Sequence, residues 1–126
     1  MGRTRYPGNA HVVAGEEHRG DLVTTKGLSL EQGSSVFGSV KANGDVHLRE
    51  CAQVDGSVVS TRSIRIAPGC FAKGPIISED EIIIDRNVQV GLPGSPTTVS
   101  APRIRIAPGS VLHGTVWARV EGRVGD

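Results

Sequence analysis

A repeat of eighteen residues constrains this chain more than any other feature. The segments Leu28-Ser-Leu30, Val46-His-Leu48, Ile64-Arg-Ile66, Ile82-Ile-Ile84 and Ile104-Arg-Ile106 begin 18, 18, 18 and 22 residues apart. Behind each comes the same punctuation: Gly33, Cys51, Gly69, Asn87 and Gly109 at one turn, then Gly38, Gly56, Gly74 and Gly114 at a later one. Val40, Val58, Ile76 and Val116 follow two residues after those later glycines. An earlier unit from about Ala10 to Gly27 fits the register through Val12, Gly15, Gly20 and Leu22. A fixed period of this length means one structural unit stacked on its copies, since a single unit cannot bury its own apolar face.

Within each unit the apolar residues alternate with polar ones, so one points in and the next points out, as on a pleated strand. Three short strands joined by tight turns fill eighteen residues. Coils stacked about 4.8 Å apart let each strand pair in parallel with its copy. The expected fold is therefore all-β: a single-stranded three-sided β-helix, a β-solenoid of about six 18-residue coils. Its inward columns are Leu30, Leu48, Ile66, Ile84 and Ile106; Val36, Val54, Ala72, Val90 and Leu112; and Val40, Val58, Ile76 and Val116. Leu92–Arg103 carries four extra residues, lacks the expected glycine and valine, and is expected to bulge from one edge. The β-helix should span residues 11–122, between a flexible tail at 1–10 and a short tail at 123–126.

Composition agrees and removes several classes of function. Leu, Ile, Val and Phe number 6, 9, 16 and 2, enough apolar content for a folded core. Seventeen Gly and seven Pro leave no room for long helices. A formal net charge of +1 supplies no excess with which to neutralise a nucleic-acid backbone. No stretch approaches the ~20 apolar residues of a membrane-spanning helix, and the polar N-terminus lacks a secretory segment. Met1-Gly2 begins a myristoylation pattern that Tyr6 breaks where Ser or Thr is required. Cys51 and Cys70 make neither a disulfide framework nor a four-ligand zinc site, and both read as reduced packing residues.

The stretch Ile104-Arg-Ile-Ala-Pro-Gly-Ser-Val-Leu-His-Gly-Thr-Val116, with weaker copies from Leu28, Val46 and Ile64, resembles the bactofilins, polymer-forming bacterial cytoskeletal proteins. The resemblance covers about residues 11–122. It implies a right-handed β-helix that assembles end to end into filaments without nucleotide, in the cytoplasm and peripheral on the inner face of the membrane. Such a scaffold would localise envelope or cell-wall proteins. The partner is then the chain itself, with no cofactor, no metal, no catalytic residue, no nucleic acid and no small-molecule substrate.

A polymer is also expected from the stack itself. A solenoid has two open ends with unpaired backbone groups, and isolated solenoids cover them with polar caps. The sequence holds no evident cap, so strand addition between molecules is expected, through Val12 and Leu22 at one end and Ile104, Ile106, Leu112 and Val116 at the other. In the outward register Val23, Val59, Ile77 and Trp117 form an apolar stripe interrupted by Lys41, a candidate lateral contact. Arg3, Arg5 and Tyr6 are candidates for touching a membrane surface, where repetition along a polymer multiplies a weak attraction. His47, Arg65 and Arg105 lie in line on another face.

An alternative remains open at this point. Hexapeptide-repeat acyltransferases also build eighteen-residue coils, left-handed ones, and Leu30, Val36 and Ala42 or Leu48, Val54 and Ser60 fit their spacing. Such an enzyme needs a histidine base, for which His113 is the candidate. A zinc site would have to come from His11, His18, His47 and His113, whose spacing does not converge. Thr24-Thr25 and Thr97-Thr98 are out of register for an ice-binding face, and Gly91–Ser95 has neither the lysine nor the helix of a phosphate loop.

Overall fold

A computed structural model describes residues 2 to 124, and they form a β-solenoid without a helix. The first side is built from β1 (Arg3–Tyr6), β4 (Asp21–Thr24), β7 (Val40–Ala42), β10 (Val58–Ser60) and β13 (Ile76–Ser78). The second carries β2 (Ala10–Val12), β5 (Leu28–Leu30), β8 (Val46–Leu48), β11 (Ile64–Ile66) and β14 (Glu81–Ile84). On the third lie β3 (Glu17–Arg19), β6 (Ser35–Phe37), β9 (Gln53–Val54), β12 (Phe71–Ala72), β15 (Gln89–Val90) and β17 (Val111–Leu112). Two long strands, β16 (Thr97–Ile106) and β18 (Gly114–Val124), turn a corner and serve the first and second sides in succession. All pairings between these strands are parallel, and their order on each side follows the repeat.

The stacking satisfies the backbone coil by coil. Ala10 N–H donates to the Gly27 carbonyl, Leu28 to Asp45 and Val46 to Ser63, each at 2.9–3.0 Å. Register keeps equivalent positions in line, so Leu30, Leu48, Ile66, Ile84 and Ile106 share a buried column, as do Val36, Val54, Ala72 and Val90. The core is thus a set of aliphatic ladders in which like residue packs on like.

Corners impose the remaining sequence requirements. At the turn from second to third side the chain enters the left-handed region at Gly15, Gly33, Cys51, Gly69, Asn87 and Gly109. Four glycines occupy that column without strain, and asparagine tolerates it through its short polar side chain. Cys51, at φ 60°, does not belong to the core; it is exposed and holds a conformation that disfavours its Cβ. At the turn from third to first side the reason for glycine is close approach. A Cβ on Gly38 would lie 2.5 Å from the Gly20 carbonyl oxygen, and one on Gly56 2.6 Å from that of Gly38.

Buried hydroxyls brace the corner between first and second sides. Thr24, Ser60 and Ser78 lie inward in one register column with Ala42. Ser60 Oγ donates to the Gly44 carbonyl and accepts from Arg62 N–H, while Ser78 Oγ donates to the Arg62 carbonyl and accepts from Asp80 N–H. Ser60 and Ser78 thereby tie their own turns to the coil before, while Thr24 Oγ1 donates to the Lys26 carbonyl within its own turn, so these hydroxyls enter the core paired.

Three expectations need correction. Arg3–Tyr6 is not a tail but the first-side strand of an additional coil, paired in register with Asp21–Thr24. Its inward Thr4 faces Leu22, and this polar substitute for an aliphatic residue hid the strand from an apolar-pattern search. At the other end Arg123 and Val124 belong to β18, while Gly125 and Asp126 lie outside the described residues. Finally, only residues 91–96 leave the coil, closed by mutual Leu92 and Ser95 backbone hydrogen bonds. Thr97 then pairs with Gly114 in the corner column, and Val99 fills the vacant valine position between Ile76 and Val116.

Two substitutions test the corner chemistry in urea unfolding. Cys51→Gly relieves the left-handed strain and should stabilise by about 1 kcal/mol. Gly56→Ala, which forces a methyl group onto a fixed carbonyl, should destabilise by about 1–3 kcal/mol.

Candidate functional site

Among the described residues the distinctive surfaces are the two ends and the first side. At the C-terminal end β18 pairs with β16 along one edge, Val99 facing Val116 and Ala101 facing Ala118. No described strand pairs with its other edge. Val116, the last residue of the first-side inward column, is 40% exposed, and Leu112 at the foot of the third-side column is only partly buried. At the N-terminal end β1, β2 and β3 form the outermost rung, and Thr4, Tyr6, Ala10, Val12 and His18 occupy inward columns. Val12 is 8% exposed. His18 Nε2 is enclosed without a hydrogen-bond partner, a polar atom left at the end of an otherwise aliphatic column.

This arrangement divides the six residues expected at the ends. Val12, Leu112 and Val116 do occupy the outermost positions. Leu22 lies one rung in, covered by Thr4, and Ile104 and Ile106 are buried in a coil over which β18 passes through Gly122 and Val124. At the N-terminal end β1, poor in inward aliphatic residues, escaped the apolar pattern; at the C-terminal end β18, expected from Val116, continues beyond Ala118 and pairs over Ile104 and Ile106. Spacing of eighteen between Arg3–Tyr6 and Asp21–Thr24 was the available signal.

The first side carries one outward row, read directly from register: Arg5, Val23, Lys41, Val59, Ile77, Ser100 and Trp117. The four stripe residues Val23, Val59, Ile77 and Trp117 therefore share a line, with Lys41 and also Ser100 between them. Ile77 is 39% and Trp117 62% exposed. Arg3 and Arg5, placed by β1 rather than by a loose tail, border a shallow groove of about 370 Å³ with Asp21, Val23, Lys41 and Val59. Tyr6 is exposed at the end of the same strand. The row is basic and mixed at one end, apolar at the other.

On the second side the outward row runs His11, Ser29, His47, Arg65, Ile83 and Arg105. Partial burial, then the nearby guanidinium groups of Arg49 and Arg65, lower the His47 pKa below its usual 6.5, against weaker opposing pulls from Glu50 and Glu31. Below this row Asp80 accepts from Ser63 Oγ at 2.7 Å and from Arg103 at 2.6 Å, and these two hydrogen bonds hold its carboxyl below the ordinary range. Burial pushes the Cys70 thiol up to about 11, and its Sγ donates to the Arg49 carbonyl. Among the described residues no group of three or more His, Cys, Asp or Glu side chains is placed to hold a metal ion. His113 is half-buried beside the bulge, with its carbonyl accepting from Thr97 N–H. No described helix is long and apolar enough to cross a membrane. Comparison of the chain with protein-family models, characterised proteins and solved structures finds no match.

The His47 environment has a measurable consequence. Because the folded state binds its proton less readily than the unfolded chain, His47 adds a loss of stability as pH falls below about 6.5. NMR titration should place its midpoint below that of a free imidazole, and Arg49→Gln should raise it more than Arg65→Gln. Asp80 acts at lower pH. Its depressed pKa stabilises the fold above the ordinary carboxylate range and is lost as pH falls through the folded value, so Asp80→Asn should flatten the acid limb of the stability profile.

Proposed function

We propose that this chain is a structural scaffold of the bactofilin kind, which self-assembles end to end into filaments without nucleotide. The observation that carries the reading is the exposed inward Val116 on a strand whose outer edge has no described partner. An apolar core slice and a row of free backbone donors and acceptors are what strand addition uses. Parallel coils at both ends have the same backbone spacing and three-sided outline, so one end offers a template for the other. An end-to-end contact that does not close on itself propagates as a filament.

The working residues of the contact are Val116 and Leu112 at one end and Val12 with Thr4 at the other. Leu22, Ile104 and Ile106 support these as the layer beneath. The scaffold's expected place is the inner face of the membrane, where envelope proteins would be gathered along the polymer. The function needs no catalytic residue and no cofactor.

Negative-stain electron microscopy of the purified chain in nucleotide-free buffer should show filaments. Val116→Arg places an unpaired charge in the contact and should reduce filament length sharply while circular dichroism stays that of a β-protein. Discrete particles from the parent chain at high concentration, or full-length filaments from Val116→Arg, would refute the assembly.

A further inference from the structure

The first-side row suggests a second contact, distinct from the ends. We infer that two copies pair laterally through this side with their long axes antiparallel. The row has seven positions, one per rung, in the order Arg5, Val23, Lys41, Val59, Ile77, Ser100 and Trp117. At one rung per ~4.8 Å it is about 29 Å long. Val59 is its midpoint.

Two face-to-face copies can be related by a two-fold axis in either of two directions within the contact plane. An axis along the rod makes the copies parallel and sets Arg5 opposite Arg5 and Lys41 opposite Lys41. Both are like-charge pairs on a partly desolvated surface, which oppose association. An axis along the strands makes the copies antiparallel and exchanges first rung for seventh. Arg5 then faces the partner's Trp117, Val23 the partner's Ser100, Lys41 the partner's Ile77, and Val59 meets its own copy.

The antiparallel arrangement answers each feature of the row. Arg5 lies over the exposed indole, where a guanidinium is attracted to the ring face. Lys41 reaches a rung on which the exposed Glu79 stands two residues beyond Ile77. The neighbouring column, Arg3, Asp21, Ser39, Ser57, Pro75, Thr98 and Thr115, likewise brings no like charges together, because Arg3 meets Thr115 and Asp21 meets Thr98. The contact covers on the order of 400 Å² per copy, below the ~800 Å² of a standard stable partner surface. A single pair is therefore weak, and repetition along the proposed filaments strengthens it. The orientation itself does not depend on filament formation.

Cross-linking in a Cys51→Gly background tests it, using a bismaleimide matched to the roughly 10 Å between packed sheets. Buried Cys70 leaves the introduced thiol as the reactive one. Val59→Cys should form covalent dimers by itself. Val23→Cys should not, because its copies sit about four rungs or ~19 Å apart, whereas mixing Val23→Cys with Ser100→Cys should. Self-cross-linking of Val23→Cys as efficient as that of Val59→Cys would overturn the antiparallel orientation. Val59→Cys yields no greater than those of Gln53→Cys, on the third side, would overturn the lateral contact. So would a Trp117 emission shift produced by anionic phosphatidylserine vesicles but not by raised protein concentration. Filament length by microscopy is read separately, so loss of the end-to-end contact and loss of the lateral one give different results.

Discussion

Everything in this molecule follows from the parallel hydrogen-bonded stacking of one coil on the next. Strand N–H groups reach carbonyls about one coil away, as Ala10 does to Gly27, Leu28 to Asp45 and Val46 to Ser63. That spacing forces equivalent residues into columns, and a column accepts only side chains that can lie on their own kind. Leu and Ile ladders on the second side and the Val ladder on the third are the result. The glycine corner is the same constraint at its tightest, because the carbonyl of one coil occupies the space a Cβ of the next would need.

Repetition also explains how the chain handles polar groups. Asp21 Oδ1 accepts from Ser39 N–H, Asp45 Oδ1 from Ser63 N–H and Asn9 Oδ1 from Gly27 N–H, each spanning one coil. Side chains at turns thereby extend the backbone ladder into places where the strands have ended. Where the period lapses, between residues 91 and 96, a small closed turn absorbs the extra length; the strand resumes at Thr97 with Val99 on Ile76, and a one-residue shift between Ala101 and Arg103 then brings Ile104 onto Ile82. The insertion is absorbed within one coil, across its two consecutive corners, since the neighbouring coils supply the pairing on either side.

The same logic produces interaction surfaces as a by-product of the fold. A stack has two extremities: Val116 is exposed at one, and at the other the third-side column reaches His18, whose buried Nε2 has no hydrogen-bond partner. A stack must also have flat sides with one outward residue per rung, so a chance of composition becomes a line of chemistry. The mixed first-side row and the histidine and arginine row on the second side arise in that way.

The eighteen-residue period, the inward columns and the left-handed corner were legible in the chain itself, because alternation and glycine placement act locally. Val23, Val59, Ile77 and Trp117 could be assigned to one line from spacing alone. The missing members were those whose residue type departs from the pattern while the backbone does not: Thr4 in place of an aliphatic, Ser100 in the outward row, Val99 displaced by the bulge. Only stacking of the complete coils revealed them, since backbone pairing continues through residues whose side chains carry no apolar signal. For the same reason the sequence by itself determined that this chain is a three-sided parallel stack, and the tertiary structure alone decided which rung is outermost and which side chains meet the solvent there.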